Sequence, residues 1–125
     1  MNRSAIGAKT RARNNQEQQQ ARVLEDAFRV CGLDWWHNTI TDKWTRAGWP
    51  DYTVFGVGWH AWLELKASNP ETGARGKLMP EQRRWAETIE AGGGEWVTFC
   101  LPDDLDELYA WLYVKTGKRM REKGT

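Results

Sequence analysis

The sequence predicts an α/β domain: a mixed four-stranded sheet flanked by helices, in the order α-β-β-β-α-β-α. Apolar residues recur at three- and four-residue steps in three segments, as on one face of a helix. Four short runs rich in aromatic and β-branched residues have the composition of strands. Glycine and proline punctuate the boundaries between these segments.

The first helical pattern begins at Asn15. Gln20, Leu24, Ala27, Phe28 and Cys31 share one face, and Gly32 is a suitable terminator. Residues 1–14 read as a basic flexible arm. Glu17 lies two turns before Leu24 and shares its inward face, whereas Glu25 is rotated from Glu17 by roughly 80° at about 100° per residue. A carboxylate on an inward face needs a partner, because burying it unpaired is costly. Trp35–Ile40 is the first strand, Asp42–Gly48 a turn or loop, and Asp51–Phe55 the second strand. Gly56–Gly58 form a turn, and His60–Ala67 is the third strand. These three are expected to form an antiparallel meander.

Residues 68–80 contain two glycines and two prolines and read as a mobile loop. Pro80 then opens a helix at its first position. Gln82, Trp85, Ala86 and Ile89 line its inner face, while Glu81, Arg83, Arg84, Glu87 and Glu90 point outward. Gly92–Gly94 end it, and Glu95–Leu101 is the fourth strand. Asp103 or Asp104 is expected to cap a last helix with Leu105, Leu108, Trp111 and Leu112 on its apolar face. Residues 15–114 thus read as a single domain and 115–125 as a basic tail.

The chain of 125 residues has material for one core. With 40% hydrophobic and 28% charged residues it reads as soluble and globular. It contains no apolar run of membrane-spanning length, and residues 1–20 have no secretory signal pattern. The expected location is the cytoplasm of a bacterial or phage-infected cell, with no membrane partner and no small-molecule cofactor. Cys31 and Cys100 form no zinc or redox spacing and read as buried reduced thiols. The net charge of +1 hides a pattern. Each end carries +4, while the body has nine basic against sixteen acidic residues. Basic ends suit a polyanion. An acidic body facing such a partner needs a further reason, and metal-binding carboxylates are one. The nine tryptophans are read mostly as core or interface filler.

The chemistry concentrates in two short motifs. In Glu64-Leu65-Lys66 the strand alternation projects Glu64 and Lys66 to one face, with Leu63 and Leu65 to the other. On its own this pair could be a surface salt bridge. Gly48-Trp49-Pro50-Asp51 changes the reading. Pro50 cannot donate a ladder hydrogen bond, so Asp51 stands where pairing starts. If the two strands are neighbours, Asp51 and Glu64 meet at one end of the sheet. Two close carboxylates repel unless a cation sits between them, and Mg²⁺ suits such a setting. Lys66 adds a positive charge for the attacking water or the phosphate.

These residues resemble the PD-(D/E)xK nuclease superfamily. Gly48-Trp49-Pro50-Asp51, Glu64-Leu65-Lys66-Ala67, a glycine-bearing loop, Leu78-Met79-Pro80-Glu81-Gln82, Trp85 and Gly92 are similar to the VRR-Nuc (virus-type replication-repair nuclease) family, small stand-alone type. The resemblance covers roughly residues 16–112 and implies a restriction-endonuclease-like core. It implies that Asp51, Glu64 and the Leu65 carbonyl ligate Mg²⁺ or Mn²⁺. It also implies that Lys66 orients or activates water, that Glu17 completes the acidic cluster, and that Gln82 stands beside the site. The inward position of Gln82 agrees with that role, and Glu25 is the substitute for Glu17. Trp49 is bulkier than the aliphatic residue such families often carry. Arg75 and Lys77, in a loop that aligns poorly, are candidate phosphate contacts.

The implied activity is a metal-dependent DNA endonuclease, possible substrates including branched or Holliday-junction DNA, acting as a homodimer. The alternative is a noncatalytic nucleic-acid-binding or phage assembly protein that keeps the fold. His37 and His60 lack partners at metal spacing and read as structural or surface residues. No phosphate-binding glycine loop or nucleophile elbow is present.

Overall fold

The computed structural model describes residues 3–38 and 47–120. Its elements are α1 (Arg3–Val30), β1 (Asp34–His37), β2 (Tyr52–Gly56), β3 (Trp59–Ala67), α2 (Pro80–Ala91), β4 (Trp96–Leu101) and α3 (Leu105–Thr116). The sheet order is β1-β2-β3-β4. β1, β2 and β3 form the expected antiparallel meander, with His37 opposite Tyr52 and Tyr52 opposite Leu63. β4 pairs with β3 in parallel, which the long crossover through α2 permits. The described residues therefore form an α/β fold with a mixed sheet and three helices.

The core lies on one face of the sheet. Leu24 and Phe28 of α1 and Leu108 and Leu112 of α3 meet Tyr52, Val54, Leu63, Phe99 and Leu101 of the strands. Burying a side chain of this size contributes about 1.5–3 kcal/mol. This packing, more than local propensity, holds α1 and α3 against the sheet. Strand alternation turns Trp62 and Glu64 to the opposite face, where α2 lies. No residue of α2 is fully buried. The α2 residues expected inward (Gln82, Trp85, Ala86 and Ile89) are half-buried, and the five expected outward are exposed. Both cysteines are buried free thiols. Among the described residues no helix is long and apolar enough to cross a membrane.

Several boundaries differ from the sequence reading. The backbone of residues 3–14, expected as a flexible arm, continues α1. This stretch is rich in alanine, lysine and arginine and free of proline, so it favours helix without an apolar stripe. At the other end, the expected tail begins inside α3. Lys115 is in its last turn, with Nζ 2.6 Å from Glu95 Oε1. Arg119 lies over the Tyr113 ring at 5.2 Å. The end of the first expected strand at Thr39–Ile40, the loop residues 41–46 and tail residues 121–125 lie outside the described residues.

Asp104 takes the N-cap position of α3, but its side chain makes no cap. Its carboxylate instead accepts the Cys100 N–H at 2.8 Å and two Arg75 guanidinium bonds at 2.8 Å each. The loop expected over residues 68–80 is present, and that contact ties it to the start of α3. Asn69 Oδ1 accepts the Glu71 and Thr72 N–H groups, and Asn69 N–H donates to Ala74 O at 2.8 Å. An Asx turn at Asn69 and a bidentate ion pair at Arg75 tie down the first half of the loop.

Candidate active site at the end of the central strands

Pro50 is buried just before β2, so the chain enters the sheet with Asp51 as the first residue able to donate. The Asn38 N–H donates to Asp51 O at 2.7 Å, which extends the β1–β2 pairing by one step. Asp51 then stands across from Glu64, one step beyond the Tyr52–Leu63 pair. Each of these acids accepts a backbone N–H from the other's strand. Asp51 N–H donates to Glu64 Oε1 at 3.2 Å, and Leu65 N–H donates to Asp51 Oδ2 at 2.9 Å. The expected meeting of the two carboxylates is therefore present.

Glu64 is 3% exposed. Burial, and then the neighbouring Asp51 charge, push its carboxyl up to about 7, against the opposing pull of Lys66. Burial also raises Asp51, although hydrogen bonding and the charges of Lys66 and His37 counter it. Lys66 Nζ lies 3.4 Å from Glu64 Oε2, on the same strand face as the alternation requires. Gly76 crosses close to the Lys66 stem, and a Cβ there would come within 3.0 Å of the Lys66 Cβ.

Gln82 also joins this group. Its Nε2 donates to Glu64 Oε2 at 2.7 Å, while its Oε1 accepts the Met79 N–H at 2.7 Å. One amide thus ends the helix start and holds the buried acid. The start of α2 is in turn fixed by Gly48. This residue has φ +86°, and a Cβ on it would lie 2.5 Å from the Glu81 carbonyl carbon. Trp85 Nε1 donates to Ala47 O at 3.1 Å, and Trp85 meets Trp49 edge-on at 5.0 Å. The segment 47–50 therefore holds Asp51 at one end and the helix carrying Gln82 at the other. Gly48→Ala should pry α2 from this segment. We expect cleavage, under the function proposed below, to fall about 10²-fold, the effect of an ångström-scale misplacement. A steady-state rate comparison on folded protein checks it.

The two carboxylates open onto a cleft of about 520 Å³ lined by Glu17 from α1, His37 from β1 and Lys77 from the loop. Glu17 is exposed there and pairs with no described residue. Glu25 is not part of the acidic cluster. It accepts the Tyr52 hydroxyl at 2.8 Å and lies 3.8 Å from His37 Nδ1. Arg75, expected at phosphate, is occupied by Asp104, whose carboxyl it holds below the usual range. It lines a neighbouring hollow of about 370 Å³ that shares Glu17, Ala67 and Gly76 with the cleft. Lys77 remains exposed and has no ion-pair partner among the described residues. The sequence reading missed His37 at the cleft. No local signal marks it, because only the folded register sets it across from buried Tyr52, on the core-facing side.

Among the described residues no group of three or more His, Cys, Asp or Glu side chains is gathered to hold a metal. The oxygen donors at this point are two carboxylates and the backbone. No family model, curated protein or solved structure matches the chain.

Proposed function

We propose that this protein is a Mg²⁺- or Mn²⁺-dependent DNA endonuclease hydrolysing phosphodiester bonds at the Asp51–Glu64–Lys66 cluster. The observation that carries this reading is the reciprocal pairing of Asp51 and Glu64 from adjacent strands at the cleft, with Lys66 and Gln82 on the buried acid. Two acids raised by burial are frustrated at neutral pH, and a hard divalent ion relieves that frustration. Asp51, Glu64 and the Leu65 carbonyl would hold the ion, and Glu17 lies across the cleft as a further oxygen donor. When bound, such an ion neutralises phosphate charge and makes water a better nucleophile. Lys66 would orient the attacking water, Gln82 would keep Glu64 aimed, and Lys77 would attract the DNA backbone. Branched DNA cut by a homodimer is the proposed working form, because one small domain offers limited DNA-binding surface.

The test is a gel assay on linear, nicked and four-way-junction DNA with Mg²⁺, Mn²⁺ or chelator. Cleavage is expected with either ion and none with chelator. A protein that retards these DNAs on a gel but cuts none of them, with any ion, is a noncatalytic binder, and the nuclease reading fails.

A further inference from the structure

Hydrolysis of a phosphodiester leaves a sugar alkoxide, a poor leaving group unless it is protonated. In-line displacement places the attacking water and the leaving oxygen on opposite sides of phosphorus. The cleft lies at the end of the sheet, where Lys66 projects from β3 on the face of Glu64 and α2, and His37 projects from β1 on the core-facing side with Tyr52. Both side chains line the same cleft of about 520 Å³, which has room for a phosphodiester between them.

The His37 ring of β1 is held from two other elements. It stacks on Tyr52 of β2 at 4.3 Å and 9°. Its Nδ1 lies 3.8 Å from Glu25 Oε2 of α1, the same oxygen that accepts the Tyr52 hydroxyl. The charged and titratable groups around it are thus Glu25, Tyr52 and Asp51. Nε2 has no partner among the described residues, and the side chain is 38% exposed where it lines the cleft.

We propose that His37 is a further catalytic residue, the general acid that protonates the leaving bridging oxygen. This rests on the nuclease reading above. Water oxygen bonds to phosphorus, and the bond from phosphorus to the bridging oxygen breaks. The electron pair stays on the leaving oxygen and takes the proton from Nε2. The attacking water gives its proton to solvent, and solvent reprotonates the ring. Glu25 is a positioning residue that fixes the Nδ1 side.

The experiment uses His37→Phe, which keeps the stacked ring, on ordinary DNA and on DNA with one bridging sulfur at the 3′ or the 5′ position. A thiolate leaves without a proton. The variant should cut ordinary DNA about 10²-fold or more slowly and one of the two sulfur linkages at close to the wild-type rate. Equal loss on all three substrates, or no loss on ordinary DNA, overturns the proposal. Should His37→Phe melt early, His37→Asn is read the same way. In metal-free wild type with chelator, the His37 imidazole nitrogen resonances should shift when duplex DNA is added, and unmoved resonances also overturn it. A wild type that cuts no DNA with any ion sinks the nuclease reading and this proposal with it. A wild type that cuts while the variant fails these tests sinks only the role of His37.

Discussion

Asp51→Asn is expected to slow DNA cleavage at least about 10³-fold while leaving the fold as stable as wild type or more so. The loss follows from the charge. Stabilisation of phosphate charge at a metal-assisted centre is worth several kcal/mol, and about 4 kcal/mol corresponds to 10³ in rate. Asparagine keeps the shape and can still accept the Leu65 N–H that Asp51 Oδ2 now takes at 2.9 Å. It also removes a carboxylate whose ionisation burial opposes. Lys66→Ala should lose cleavage too, but for a different reason. It strips the cation 3.4 Å from Glu64 and leaves that acid balanced only by hydrogen bonds. Rates on junction and linear DNA, with thermal unfolding on the same samples, check both. Full cleavage by both variants would mean the chemistry is elsewhere.

The Asp51–Glu64–Lys66–Gln82 cluster was legible because each member obeys a local rule. Strand alternation aligns Glu64 with Lys66, Pro50 marks where β2 begins, and helical periodicity turns Gln82 inward from a start set by Pro80. The parts that escaped depend on residues distant in sequence. Nothing near Arg75 announces Asp104, 29 residues on, as the partner that ties down its loop. Glu25, Tyr52 and His37 come from three elements, and only the folded register stacks His37 on Tyr52. The early start of α1 escaped for the opposite reason. Residues 3–14 have helix-forming composition but no apolar period, and only an apolar period marks a helix from spacing. Gly48 stood in plain view within its motif. Its meaning, a close approach by the backbone of α2, belongs to packing and left no trace in spacing.

Glu64→Gln should abolish cleavage at every pH and change the stability of the protein with opposite signs at pH 4 and at pH 8. Glu64 is raised from 4.5 to about 7 in the fold. Its protonated form is therefore favoured by folding. That contribution is fully present below 4.5, declines as pH rises, and is lost once pH passes about 7. The span corresponds to about 3 kcal/mol, shared with Asp51 because the two titrate together. Glutamine is neutral throughout, so it escapes this loss. It brings a different cost. Glu64 accepts from Asp51 N–H through one oxygen and from Gln82 Nε2 through the other. A glutamine has only one oxygen, and Gln82 cannot turn over because its own Oε1 holds the Met79 N–H. One unmade hydrogen bond costs about 1 kcal/mol. At pH 4 the variant should therefore be the less stable protein by about 1 kcal/mol. At pH 8 it should be the more stable by about 1–2 kcal/mol, or about 5 °C in melting temperature. Millimolar Mg²⁺ should raise the melting temperature of wild type at pH 8 and leave the variant nearly unmoved, because the bound ion takes over the charge that burial resists. Urea denaturation at the two pH values, with and without the ion, reads all of this. A variant weakened equally at both would show that the fold does not raise the Glu64 carboxyl, and the two-carboxylate site would lose its physical basis.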